Sequence, residues 1–343
     1  MPKKSLLIRT DANAAIGMGH LVRCVSLARM MDSEFSVSFL LANTPADVVE
    51  RIIGSAYETL CLHHGSAKDE TTLVSGIAIG KGVHALVLDG YEFNYDYQRA
   101  VRNAAYKTVY IDDLIASRYC VDLLINQADN VLPEQYTVDG NAKLLLGPAY
   151  ALLRPEFLEI ARTPAREIAE IRRVFVSFGG VDLINVTEYV LRTLFRAHPF
   201  DEINVLIGQL NSSSEALKEA RHAQSNLFFH FNQSALQVRE LLAKSDLAIV
   251  PNSSISLEAC SVGVPMITGI TAENQLGYFR AFQKSNLSID AGDWRLFSPE
   301  ALVKAVRGVV EMTPEARQVQ LENQKKYIDG FSDHRILSSI QSL

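Results

Sequence analysis

Short apolar runs alternate with longer amphipathic stretches along the whole chain. The first run, Ser5–Ile8, is followed by a glycine-bearing turn and a helical pattern over Gly19–Met31. Then come Ser36–Leu41, a helical Pro45–Ile53, Thr59–Leu62, Ala85–Asp89, Thr108–Ile111 and Leu123–Asn126. Apolar runs of about four to six residues separated by helices predict βαβ units, and hence a parallel sheet covered on both faces. The rhythm breaks over Arg154–Arg173, where two prolines among many charges predict a helical linker. It then restarts, with strands predicted at Arg173–Ser177, Ile203–Ile207, Leu227–Phe231, Leu247–Val250 and Pro265–Thr268 and a helix over Asn185–His198. From Thr313 onwards the pattern is again helical.

The expected architecture is therefore α/β, with two Rossmann-like parallel-sheet domains over residues 1–153 and 154–315. A helical tail, 316–343, is available to cross back and brace the first domain. Open parallel sheets bind ligands beyond the carboxyl ends of their strands, so two of them facing across a cleft would place candidate chemistry there. The length of 343 residues agrees with two domains at about 150 residues each.

Composition narrows the classes. With 48% apolar and 21% charged residues the chain is of ordinary globular type. A formal net charge of −6 gives no basic footprint for nucleic acid. The four cysteines, Cys24, Cys61, Cys120 and Cys260, form no CxxC pair, which argues against a disulfide scaffold or a zinc ribbon and suits a reducing cytoplasm. The apolar start at Ser5 breaks at Arg9, short of a signal peptide, and no run approaches the roughly 18 apolar residues of a membrane span. His63–His64 is the one adjacent histidine pair, and neighbours on an extended chain point apart, so no metal site is expected.

The densest segment is IRTDANAAIGMGHLVR, Ile8–Arg23. Gly17 and Gly19 lie between the first strand and the first helix, where glycine lets backbone approach a ligand closely. His20 opens the helix, next to the partial positive charge of its N-terminus, and is equipped to take a proton from water. A helix-opening histidine is equally at home as a cap or a packed residue. Arg23, one turn on, is either a phosphate ligand or a salt bridge to Asp11, the latter preferred. The third glycine of a dinucleotide fingerprint is missing, and the second predicted strand ends without an acid, at Leu41-Ala42-Asn43.

This string resembles the opening of the PseG family, IRADxSxxIGxGHxxRCxxLA, which this chain matches as IRTDANAAIGMGHLVRCVSLA. The family comprises UDP-2,4-diacetamido-2,4,6-trideoxy-β-L-altropyranose hydrolases of pseudaminic acid biosynthesis, relatives of the MurG-type transferases. The resemblance implies a GT-B fold and a metal-independent, cofactor-free reaction in which water attacks the anomeric carbon with inversion and UDP leaves. It makes His20 the general base and places Asp11, Gly17 and Gly19 on the substrate side. Asp89-Gly90-Tyr91 resembles the family's Asp-x-Tyr, which assigns Tyr91 to the sugar site. On its own, an acid after a strand is as readily a helix cap. Strand-end acids Asp112, Asp113 and Asp122 either orient His20 or cap helices. Gly147–Phe157 matches the passage between the domains.

In the second half, Ser177-Phe178-Gly179-Gly180-Val181-Asp182 lies between a strand and a helix, where free N–H groups at Gly179 and Gly180 would face a phosphate. Ser253 and Ser254 open another helix, with Glu258 one turn inside. Hydroxyls and free N–H groups at such a helix start suit a diphosphate, and the resemblance implies that Glu258 accepts the ribose hydroxyls. Here the chain departs from the family, with Pro251-Asn252-Ser253-Ser254-Ile255 in place of Ala-Gly-Gly-Ser-Thr. Asn274 and Gln275, in Ala272-Glu273-Asn274-Gln275, correspond to the family's Asx-Asn-Gln beside the sugar. The expected partner is a UDP-sugar, without nucleic acid or stable membrane insertion. The alternatives are a GT-B glycosyltransferase of surface polysaccharide synthesis and a non-catalytic sugar-nucleotide-binding module.

Overall fold

A computed structural model of the chain describes residues 3–13, 16–63, 67–116, 118–179, 182, 185–208, 224–296 and 298–343, with the backbone alone at Ala67 and Asn274. It divides into two compact units: 1–155 with 331–343, and 156–330. The first unit runs β1 (Lys4–Thr10), α1 (Gly19–Met31), β2 (Phe35–Leu41), α2 (Ala46–Ile52), β3 (Glu58–Cys61), α3 (Ala67–Gly80), β4 (Ala85–Asp89), α4 (Tyr95–Val101), β5 (Lys107–Ile111), β6 (Leu123–Asn126) and β7 (Lys143–Leu146). The second runs α5 (Pro155–Ala161), β8 (Arg173–Ser177), α6 (Val186–Ala197), β9 (Glu202–Ile207), β10 (Leu227–Phe231), α7 (Ala235–Lys244), β11 (Leu247–Pro251), α8 (Ser254–Val262), β12 (Met266–Ile270), α9 (Leu276–Lys284), β13 (Ile289–Asp293), α10 (Pro299–Val310) and α11 (Pro314–Tyr327). The last helix, α12 (Ser332–Gln341), belongs to the first unit.

Each unit holds one sheet, seven strands in the order β3-β2-β1-β4-β5-β6-β7 and six in the order β10-β9-β8-β11-β12-β13. Pairing is parallel throughout both. Central strands such as ALVLD of β4 and LLIN of β6 are buried residue after residue, as a sheet covered on two faces requires. Strand order reverses between β1 and β4 in the first sheet and between β8 and β11 in the second. These are the switch points where crossovers diverge and leave a crevice at the strand ends. Register places Thr10 opposite Asp89, so β1 and β4 finish side by side.

Two edge strands, β7 and β13, lie outside those that the pattern predicts. β7 is only Lys-Leu-Leu-Leu, and β13 reads Ile-Asp-Ala-Gly-Asp with Gly292 at φ +83°. Edge strands are half solvated, so their sequence need not be continuously apolar. The linker is helical only over Pro155–Ala161. Pro164 has no N–H to donate and disfavours helix at the residue before it, and the chain beyond carries Ile168 and Ile171 into the second core instead. The return to the first unit starts at Phe331 rather than 316, because α11 stays with the second unit. Between them Gly330 stands at φ +81°, where a Cβ would lie 2.5 Å from the Leu158 carbonyl oxygen. Beyond it α12 is tied down by Ser332 Oγ donating to Ala151 O at 2.7 Å and Arg335 to Ala149 O at 3.0 Å. Among the described residues no helix is long and apolar enough to cross a membrane.

Candidate active site

The switch point of the first sheet gathers four side chains from three elements. His20 sits in the first turn of α1, Asp89 ends β4, Tyr91 follows it, and Asp113 lies just beyond β5. His20 Nδ1 is 2.7 Å from Asp89 Oδ1. Arg23, one helical turn after His20, grips the same carboxylate through Nε to Oδ2 at 2.6 Å and Nη2 to Oδ1 at 2.5 Å, and reaches Asp113 Oδ2 through Nη1 at 2.9 Å. The Tyr91 ring meets the His20 ring edge-on, centroids 4.7 Å apart at 85°, and its hydroxyl donates to Asp113 Oδ2 at 3.3 Å. His20 is 5% exposed and Asp89 fully buried, while Tyr91 is 46% exposed.

This geometry sets the histidine's tautomer. Burial pushes the Asp89 carboxyl up, but the Arg23 guanidinium and the hydrogen bonds from Arg23 and His20 outweigh it and hold the group at about 2. An ionised carboxylate only accepts, so Nδ1 must carry the hydrogen between it and Asp89. Arg23 Nη2 lies 3.0 Å from Nδ1, but both are donors, and what they share is the Asp89 oxygen. Nε2 of the neutral ring is then the bare nitrogen, and it has no hydrogen-bond partner among the described residues. The Cys24 thiol, pushed well up by burial and by Asp89, adds a donor to Asp89 Oδ2 at 3.3 Å.

The surrounding loops are locked. Gly17, at φ +85°, donates to Asn13 O at 2.8 Å and closes the turn that leads into α1. A Cβ on Gly17 or Gly19 would meet no described atom within 4 Å. Asp11 is the partner of Arg9 and not of Arg23. Its Oδ1 accepts from the N–H groups of Ala42 and Asn43, both at 2.8 Å, and from Thr44 Oγ1 at 3.0 Å, and its Oδ2 from Arg9 at 2.6 Å. With both oxygens engaged and 2% exposure, its part is to join the β1 and β2 loops. Asp112 accepts from the hydroxyls of Tyr119 and Tyr136, both at 2.9 Å, and from Asn126, which fixes the β5 loop that carries Asp113.

In the second unit, Gly179 stands at φ +81° after β8, and Gly180 lies outside the described residues. The start of α6 carries a capping carboxylate. Asp182 already caps it, its Oδ1 accepting from Val186 N and its Oδ2 from Thr187 N, both at 2.8 Å. The start of α8 differs. Ser253 is the cap residue yet its hydroxyl makes no cap bond, and Ser254 is exposed. Glu258 is buried one turn in, 6% exposed. Asn252, which precedes them, is fully buried, and neither polar atom of its side chain has a protein partner among the described residues. Gln275 is partly exposed. Its Oε1 accepts from Thr271 N at 2.8 Å and so closes its own turn. The Asn274 side chain lies outside the described atoms.

The structure brings the expected His20 and Tyr91 together with Asp89 and Arg23, which the sequence reading did not join to them. The signal for Asp89 was an acid ending the most apolar strand of the first unit, and for Arg23 its spacing of three from His20, which puts both on one face of α1.

No family model matches the chain. It is 23% identical over 257 residues to the UDP-2,4-diacetamido-2,4,6-trideoxy-β-L-altropyranose hydrolase of Campylobacter jejuni, which covers 74% of this chain and 87% of that one. The chain is distantly PseG-like. It is also 22% identical over 224 residues to the spore coat polysaccharide biosynthesis protein SpsG of Bacillus subtilis, 65% of each chain. A third relative, an uncharacterized protein of Methanocaldococcus jannaschii, is 23% identical over 299 residues, 82% of this chain. The matches span 65% of SpsG's length and 60% of the archaeal protein's. Among solved structures, MurG of Acinetobacter baumannii superposes with a TM-score of 0.69 at 12% identity over the whole of both chains. The calicheamicin glycosyltransferase CalG4 gives 0.66 at 12% identity, over 100% of this chain and 98% of that one. These likenesses define the fold of this PseG-like chain as GT-B.

Proposed function

We propose that the chain is a hydrolase that releases UDP from a UDP-sugar of the 2,4-diacetamido-2,4,6-trideoxy-β-L-altrose class, in the cytoplasm, as a step of pseudaminic acid biosynthesis. The observation that carries this reading is His20, held by Asp89 with Nδ1 protonated and Nε2 bare at the switch point of the first sheet. Nε2 takes a proton from water as the water oxygen bonds to the anomeric carbon. The bond from that carbon to the diphosphate oxygen breaks on the opposite face, its electron pair leaves with UDP, and configuration inverts. Asp89, ionised, accepts from Nδ1–H and so holds the ring with Nε2 free for that proton. His20 then returns the proton to solvent. Tyr91 shapes the sugar side, and Asn274 is assigned to a sugar hydroxyl or the attacking water. Ser253 and Ser254 at the start of α8 receive the diphosphate and Glu258 the ribose, an arrangement suited to an anion at a helix N-terminus.

The test is incubation with a panel of UDP-, GDP- and CMP-sugars without acceptor, scoring free nucleotide and the anomer of the sugar by NMR. His20→Asn should lower turnover by about 10²- to 10⁴-fold, the usual worth of a general base, while UDP binding persists. Unchanged turnover in that variant refutes the base. Release of UDP only when an acceptor hydroxyl is supplied would make the chain a transferase instead.

A further inference from the structure

We propose that Arg23 is a positioning residue that keeps His20 available as a base, because by neutralising Asp89 it denies the imidazolium a counter-ion. A carboxylate beside a histidine does two things. It selects the tautomer, and if its charge is uncompensated it also favours the doubly protonated ring, which has no lone pair left for a water proton. Here the first effect is retained and the second is cancelled. Arg23 meets Asp89 at two points, 2.6 and 2.5 Å, and its Nη2 stands 3.0 Å from His20 Nδ1, so a fixed positive charge lies against the ring. The Arg23 side chain is 11% exposed and that of Asp89 is fully buried, so solvent screens neither strongly.

The other groups around Asp89 do not replace this charge. From α1 the Cys24 thiol faces it, and from β5 the Tyr110 phenol, both pushed up by burial and by carboxylates and so neutral. From β1 its register partner is Thr10, which does not titrate. Glu92, beyond β4, interacts with His20, and Asp113 lies on the far side of Arg23. Without Arg23, Asp89 faces the ring uncompensated, and a proton on His20 is the positive charge hydrogen-bonded to it.

The inference rests on His20 being the base of the reaction proposed above, and its test separates the two. The ring of His20 is titrated by ¹H–¹³C NMR on the ligand-free, full-length chain, its signal assigned with His20→Asn. In Arg23→Gln the midpoint should move up by about 1 to 3 pH units, the usual effect of one close charge, and the acid limb of UDP release should move with it. Arg23→Lys keeps the charge and should titrate with the wild type. An unmoved midpoint in Arg23→Gln, or equal movement in both variants, overturns the proposal. Should Arg23→Gln not fold, Asp113→Asn decides, since removing that carboxylate must lower the midpoint. A midpoint left in place or raised there overturns it too. Wild-type protein that releases no UDP refutes the hydrolase reading, and the ring titration still stands or falls by itself.

Discussion

Replacing Asp89 with asparagine tests the buried ion cluster directly. Asparagine copies the shape of the protonated acid, so the variant should behave as wild-type protein does once that carboxyl has been neutralised. Lowering the group from its ordinary 3.8 to about 2 corresponds to about 2 to 3 kcal/mol, at about 1.4 kcal/mol for each tenfold change. Because Asp89 is fully buried, no discount for solvent is needed. The sign follows from the direction of the shift. A carboxyl depressed in the folded state stabilises it above the unfolded value, near 4, and that stability disappears as pH falls towards about 2. Asp89→Asn should therefore be less stable than wild type by about 2 to 3 kcal/mol from neutrality down to about pH 5. The deficit should be about half as large near pH 3. Urea denaturation followed by far-UV circular dichroism measures it. The single tryptophan, Trp294, lies in the second unit and gives a separate signal by fluorescence. A variant as stable as wild type at neutral pH, or a deficit that does not shrink with acid, would refute the idea that Arg23 and His20 hold Asp89 ionised.

Two further outcomes are expected in the second unit. Gly269→Ala would place a Cβ 2.6 Å from the Gly292 carbonyl oxygen and 2.8 Å from the Trp294 ring, so it should cost about 1 to 3 kcal/mol by overpacking. The Trp294 fluorescence transition in urea reads this, and an unshifted midpoint would contradict so close a contact. Glu258→Ala should weaken UDP binding by about tenfold or more through lost charge-assisted hydrogen bonds, with little effect on turnover at saturation. Calorimetry with UDP checks it, and undiminished affinity removes the ribose assignment.

The alternation of apolar runs and amphipathic stretches was enough to determine both parallel sheets, because central strands buried on two faces must be apolar at successive positions. The same signal fails at the edges, where β7 and β13 are half solvated, and in the linker, where local helical spacing yields to Pro164 and to the burial of Ile168 and Ile171. Local sequence likewise determined that His20 opens a helix after a glycine turn, since glycine spacing and helix starts are short-range features. Tertiary structure alone decided the partners of the charged groups. Asp11 and Asp89 both follow apolar strands, yet one joins Arg9 and the other joins Arg23 and His20. Which pairing forms depends on where separate strands end across the sheet, and sequence distance does not encode that. Asp89 is 69 residues from His20 and becomes its neighbour only because β4 pairs with β1.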